Sequence, residues 1–143
     1  MSAAPRLGDG PAPSPPPRRR VLSPRRLVRS FAYAFAGLGH LLWREPNARI
    51  HGGAALLAVA LGLWLGLSAA EWAALLALFG LVIGLEAMNT AVEELADVVR
   101  PERDPRIQHL KDVAAGGVLA AALAAAAAGL VLFGPRLWHL LMG

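Results

Sequence analysis

Residues 52–70, 72–85 and 113–133 of this chain contain no charged side chain. Peptide groups in hydrocarbon find no water to bond, so helices and closed barrels are the only backbones that cross a membrane. Stretches this apolar, without the alternation of a barrel strand, point to helices. At about 1.5 Å per residue, the first and third are long enough to cross roughly 30 Å of hydrocarbon. The middle one is too short alone, so the residues that follow it must belong to the same helix. Composition agrees: 56% of the 143 residues are hydrophobic and only 17% are charged, a balance foreign to a soluble domain of this size. Cysteine is absent, which excludes disulfides and thiolate metal sites.

The basic residues fix an orientation. Arg6, Arg18, Arg19, Arg20, Arg25, Arg26, Arg29, Arg44 and Arg49 precede the first span, and Arg100, Arg103, Arg106 and Lys111 lie between the second and third. The link between spans one and two offers Glu71 and no base, and the C-terminal end has only Arg136. Cytoplasmic segments collect Lys and Arg, so the N-terminus and the second link are expected inside and the C-terminus outside. The expected location is a membrane crossed several times, with the N-terminus cytoplasmic. The net charge of +4 suits anionic headgroups. Nucleic acid is not expected as a partner, because no basic and aromatic reading surface is present.

Two segments precede the spans. Residues 1–22 are rich in Pro, Ala, Gly and Arg, lack a periodic apolar face and are expected to be a disordered tail. A signal peptide is a poor reading, since the first apolar core begins so far into the chain. The membrane domain is read as residues 23–143. Ser23 suits a helix cap and Pro24 a first turn. Leu27, Val28, Phe31, Phe35, Leu38 and Leu42 then recur at three- and four-residue steps, with Arg25, Arg26, Arg29, Tyr33 and His40 mostly off the stripe. This predicts an amphipathic helix over about 24–44, lying in the interface or packing with solvated arginines; both can hold. Pro46 interrupts it, so Glu45, Asn47, Arg49 and His51 carry the turn into the first span. On their own they read as ordinary interfacial residues. Spans are expected at about 50–70, 72–99 and 112–133.

The second span carries the chemistry. Trp72 marks its outer interface, and no helix breaker follows until Pro101. At about 100° per residue, Glu86, Asn89, Glu93 and Asp97 fall within an arc of roughly 80°. Glu86 lies roughly 21 Å along the helix from Trp72 and Glu93 roughly 31 Å. Glu86 is therefore inside the inner leaflet, Glu93 is near the boundary and Asp97 reaches water. An intramembrane carboxylate costs several kcal/mol unless paired, protonated or bound to a cation. A protonated Glu86 bonding a neighbouring helix is the structural alternative. Four oxygen-bearing side chains at graded depth better suit a path from an aqueous cation to something dissolved in lipid. Such oxygens suit Mg²⁺, which takes one or two carboxylates plus substrate phosphates.

Past Asp97, the link delivers Lys111, the only lysine in the chain, and Asp112 to the third span. A compact point charge suits a polyphosphate. In the third span Gly116, Ala120, Ala124 and Ala128 form a small-residue ridge, read as a helix-packing surface. No Walker sequence and no protein-kinase signature appears.

The run Glu86-Ala87-Met88-Asn89-Thr90-Ala91-Val92-Glu93 with Asp97, followed by Lys111-Asp112-Val113-Ala114-Ala115-Gly116-Gly117-Val118, resembles the signature of the prokaryotic diacylglycerol kinase and undecaprenol kinase family. Ser30-Phe31-Ala32-Tyr33-Ala34-Phe35-Ala36-Gly37 and the Glu45, Asn47, Arg49-Ile50-His51 cluster are similar to its amino-terminal pattern. The similarity spans about residues 25–135. It implies an all-α membrane protein with a surface helix and three transmembrane helices, a homotrimer, that moves the γ-phosphate of ATP to a lipid hydroxyl with Mg²⁺.

The resemblance also implies roles. Glu86 is the general base toward the lipid hydroxyl, with Asn89 and Asp97 completing the catalytic set. Glu45 and Glu93 are the metal ligands. Tyr33, Glu45, Glu93, Glu102, Asp104, Lys111 and Asp112 bind nucleotide, and Arg26 joins Glu86 at the lipid substrate. Arg49-Ile50-His51 and Asn89-Thr90-Ala91 look more like the undecaprenol kinase branch. Asp104 departs from the family, which often has His there, and Leu110 stands where Ala is common. Two other functions are compatible with the residues: a non-enzymatic membrane assembly subunit, and a cation or proton pathway through Glu86 and Glu93.

Overall fold

A computed structural model of the chain describes residues 23–100, 102 and 104–143. The tail expected over residues 1–22 lies outside the described residues. Those described form four helices and no strand: α1 (Pro24–Arg44), α2 (Pro46–Leu65), α3 (Ala69–Val99) and α4 (Pro105–Met142). The last three are long and apolar enough to cross a membrane. The chain is an all-α membrane protein.

Helix α1 begins where Ser23 Oγ accepts the Arg26 N–H at 3.2 Å and Pro24 occupies the first turn. Its apolar stripe is left uncovered by the other described residues: Phe31, Phe35 and Trp43 are exposed, and Leu41 is the buried residue of the helix. An exposed aromatic and aliphatic stripe on a helix whose other face is basic is the arrangement of a helix lying in a membrane interface.

A single extended residue, Glu45, separates α1 from α2. Pro46 lacks an N–H and cannot continue α1, yet its fixed φ suits the first turn of the next helix. Hydropathy places the first span at 50–70, whereas α2 runs from Pro46 to Leu65. The polar residues from Asn47 to His51 are therefore helical, with Ala48 fully buried. The helix ends early because Gly66 takes the left-handed conformation, with φ 68°.

Ser68 and Glu71 then start α3 by a reciprocal capping box. Glu71 Oε2 accepts the Ser68 N–H at 2.8 Å, and Ser68 Oγ accepts from Glu71 N. Near this turn α2 and α3 approach closely. A Cβ on Gly62 would stand 2.9 Å from both Leu67 Cδ1 and Trp72 Cη2.

The main packing is between α3 and α4. Leu67, Leu75 and Phe133 are buried together, flanked by Leu61, Trp72 and Phe79. Beside this core Arg136 reaches back from α4 to the start of α3, its Nη1 at 2.9 Å from Glu71 Oε1 and its Nη2 donating to Oε2 at 3.0 Å. The two helices have 31 and 38 residues, about 46 and 57 Å at 1.5 Å per residue, so their ends protrude from roughly 30 Å of hydrocarbon.

Most of the small-residue ridge of α4 is left uncovered by the other described residues. Gly116, Ala120 and Ala124 are exposed, and a Cβ on Gly116 would meet nothing within 4 Å. The buried α4 residues are Val118, Ala121 and Phe133. The four-residue spacing identified a smooth stripe correctly but not its partner, because the bulkier Val118 and Phe133 face the other helices.

Candidate functional site

The polar line of α3 lies at the end opposite Glu71. Glu86 is the buried charged residue of the described chain, 3% exposed. Asn89 and Glu93, one and two turns further, are half-buried, and the Asp97 side chain is 67% exposed. Burial thus decreases along the helix in the order that the spacing implied. The ionisable groups whose charges reach Glu86 are His51, Glu45 and Glu93. They come from the start of α2, the α1–α2 junction and α3. The Pro46 break brings this about: it places Glu45 and His51 at one end of α2, beside the polar end of α3.

Two of these residues have oxygens not consumed by local structure. Glu45 stands at the N-cap position of α2, but its side chain makes no capping hydrogen bond. Asn89 Nδ2 donates to Glu93 Oε1 at 2.8 Å, while Asn89 Oδ1 is buried with no hydrogen-bond partner among the described residues. No three His, Asp or Glu side chains among the described residues converge as a ready metal cage. Mg²⁺ does not require one, since it is commonly held by one or two carboxylates with substrate phosphates and water. The orphaned amide oxygen beside the Glu93 carboxylate fits that hard-oxygen chemistry.

On the α3 turn preceding Glu86, Val82 lines an apolar cavity of about 420 Å³ between α2, α3 and α4. Its wall is made of small and apolar residues, including Ala55, Ala58, Leu75, Ala125 and Phe133, and His51 is its polar member. Glu86 therefore sits at the joint between an apolar trough and a polar line. That joint suits a molecule with a long hydrocarbon part and a reactive polar end.

A second cavity, of about 460 Å³, opens where α3 gives way to α4. Asp97, Arg100, Glu102, Asp104, Gln108 and Lys111 line it with Pro105 and Ile107. Lys111 Nζ bonds Asp97 Oδ1 across the helices, and Gln108 Nε2 donates to Asp112 Oδ1 at 2.7 Å. Asp104 caps α4, accepting Arg106 N–H at 2.8 Å through Oδ1.

The candidates named from sequence thus divide among three places. Asp97, Glu102, Asp104 and Lys111 share the second cavity, with Asp112 tied to its wall through Gln108. Glu45 and Glu93 carry charges that act on Glu86, with Asn89 bonded to Glu93. Arg26 and Tyr33 lie apart on the exposed N-terminal half of α1. Ser30 Oγ donates to the Arg26 carbonyl, and Arg29 donates to the Tyr33 hydroxyl at 3.2 Å. Sequence reasoning missed His51, Arg100 and Gln108 as site residues. The four-residue steps Arg100 to Asp104 and Gln108 to Asp112 were the available signals for two of them.

Residues 32–133 match the family model described as prokaryotic diacylglycerol kinase. The chain belongs to this family. Its match includes every candidate above except Arg26, which precedes it. Among curated relatives, an undecaprenol kinase of Bacillus subtilis (strain 168) is 33% identical over 112 residues, covering 78% of this chain and 91% of the relative. A diacylglycerol kinase of Synechocystis sp. is 35% identical over 122 residues, covering 85% and 69%. A diacylglycerol kinase of Escherichia coli (strain K12) is 30% identical over 100 residues, covering 70% and 82%. Family membership makes the chain a lipid kinase.

Proposed function

We propose that this lipid kinase transfers the γ-phosphoryl group of ATP to the primary hydroxyl of a membrane lipid alcohol, at the cytoplasmic face of a bacterial plasma membrane. The observation that carries the reading is the buried Glu86 carboxylate between the apolar trough and the polar line of α3. A lipid tail suits the trough, and its hydroxyl would meet Glu86 as general base. Glu86 takes the hydroxyl proton, the hydroxyl oxygen forms a bond to the γ-phosphorus, and the bond from that phosphorus to the bridging oxygen of ADP breaks. Such a transfer asks mainly for positioning and charge stabilisation.

Glu102, Asp104 and Lys111 of the second cavity would hold the nucleotide, with Asp97 and Asp112 alongside and Tyr33 contributing from α1. Glu45 and Glu93 would hold Mg²⁺, with Asn89 Oδ1 beside them. When bound, the cation neutralises the phosphate oxygens as charge builds on them. Arg26, on the basic face of α1, would contact the lipid headgroup region. The exposed α4 ridge supports assembly, in which three copies form a homotrimer through small-residue surfaces.

Undecaprenol is favoured over diacylglycerol. Arg49-Ile50-His51 and Asn89-Thr90-Ala91 resemble the undecaprenol branch, and the Bacillus relative that the chain covers most fully carries that name. The implied role is recycling of a cell-envelope carrier. Purified protein, labelled ATP and a panel of lipid alcohols, resolved by thin-layer chromatography, test the reading. A labelled phospholipid product that requires both Mg²⁺ and an added lipid alcohol is expected. Failure of every lipid alcohol to accept label refutes it.

A further inference from the structure

Arg100 forms the C-cap of α3, in an extended conformation with its N–H on the Ala96 carbonyl at 2.9 Å. Its side chain turns across to α4, where Nη1 lies 2.7 Å from Asp104 Oδ2. Asp104 is itself fixed, because its other oxygen caps α4 through the Arg106 N–H. Both carboxylate oxygens are therefore engaged, and this side chain is only 14% exposed whereas that of Arg100 is 56% exposed. The guanidinium is held by one edge on a rigid carboxylate, with Nε and Nη2 making no hydrogen bond among the described residues.

Lys111, the other cation of this cavity, is in the opposite condition. Its side chain is 24% exposed and its ammonium is engaged by Asp97. An ammonium is a point charge, whereas a guanidinium is a planar fork that binds two oxygens of a phosphate side by side. An arginine already anchored through one nitrogen also loses less freedom on binding.

We propose that Arg100, oriented by Asp104, is a phosphate-binding residue of the nucleotide site. The inference rests on the cavity being where nucleotide binds, and it adds a residue and a device to that reading. The ligand class is a nucleoside polyphosphate, and the contact is made by the free edge of the guanidinium. Asp104, at a position where a family histidine is often found, acts as a positioning residue: it starts α4 and aims Arg100.

The test uses the full chain in mixed micelles, measuring KM for Mg-ATP, KM for the lipid and kcat separately, together with thermal unfolding. Loss of a charge-assisted phosphate contact should raise KM for Mg-ATP about tenfold or more in Arg100→Ala, with the lipid KM and the unfolding temperature unchanged. Arg100→Lys should recover part of the loss, a pattern that a purely structural role would not give. Asp104→Asn should keep the helix start, since Asn caps as well as Asp, yet raise KM for Mg-ATP by misaiming Arg100. Should Arg100→Ala fail to fold, Arg100→Gln serves for the same measurements. An unchanged KM for Mg-ATP in Arg100 variants, with a raised one in Lys111→Ala, overturns the inference and leaves the nucleotide site in place. Unchanged values in both sets remove the cavity as the nucleotide site, and the inference with it.

Discussion

Asn89 donates its amide N–H to Glu93 across one turn of α3, and this turns its own carbonyl oxygen into a buried position without a partner among the described residues. A buried acceptor left unpaired costs roughly 1–3 kcal/mol, which supports the cation site proposed beside it. Glu93→Gln should raise the Mg²⁺ concentration for half-maximal rate by about tenfold or more, because a charged hard-oxygen ligand becomes neutral. Titration of Mg²⁺ at saturating ATP measures this. A normal half-saturation point in the variant removes Glu93 from the metal site.

Glu86 stands apart from that pair as the proposed proton acceptor. Glu86→Gln should lower kcat by about 10²–10⁴-fold, the usual worth of a general base. Nucleotide binding, followed by equilibrium dialysis without lipid, should change little. Glu94 bears on the interpretation as a control. It lies about 100° around the helix from Glu93, and its ion-pair partner among the described residues is exposed His40, at 3.8 Å. Glu94→Gln should therefore retain near-normal kcat and Mg²⁺ dependence; a loss equal to that of Glu86→Gln contradicts the assignment.

Orientation is testable because the natural chain has no cysteine. Single cysteines at exposed Arg106 and Ala70 report opposite ends of the membrane helices. In intact cells an impermeant thiol reagent should label Ala70→Cys and spare Arg106→Cys. Reversed labelling would place the polar cavity away from cytoplasmic ATP.

The choice of lipid has its own measurement. Rates on undecaprenol and diacylglycerol, compared at equal mole fraction in mixed micelles, should favour undecaprenol. A clear preference for diacylglycerol overturns that choice and leaves the phosphoryl transfer untouched.

Gly62 gives a prediction about stability. Any side chain there meets Trp72 and Leu67, and overpacking of this kind costs typically about 1–3 kcal/mol. Gly62→Val should lower the unfolding temperature in detergent, and Gly62→Ala should do so less. Gly53→Ala, at a helical glycine with nothing within 4 Å, should not destabilise the protein. Equal behaviour of all three would refute the contact.

What was legible in the sequence follows from how local each signal is. Helices reveal themselves through charge-free runs and caps, and Ser23-Pro24 marked the start of α1 from residues adjacent in the chain; Ser68 to Glu71 and Asp104-Pro105 start α3 and α4 ahead of the bounds of about 72 and 112 that hydropathy gave. The polar face of α3 was equally local, because one helix carries all four residues. Pro46 misled the reading of the first span: a proline that ends one helix and begins the next lies where hydropathy is low. Burial of Glu86 near Glu45 and His51 depends on how α2 meets α3, which no spacing within one helix encodes. Arg100 was read only for its charge. Its role depends on a partner across the α3–α4 turn, and on what that partner is already doing.

Between Leu65 and Ala69 only Gly66, Leu67 and Ser68 lie outside helices. The first reverses the chain, the second is buried against α3, and the third closes a capping box with Glu71. During biosynthesis α2 and α3 can therefore enter the bilayer together as one closed hairpin. Almost no hydrophilic loop has to be dragged through the hydrocarbon, and the few polar groups that do cross arrive already bonded to one another. In the orientation proposed above, Glu45, Glu93 and Asp97, at the open end of that hairpin, need never leave the side on which the ribosome made them.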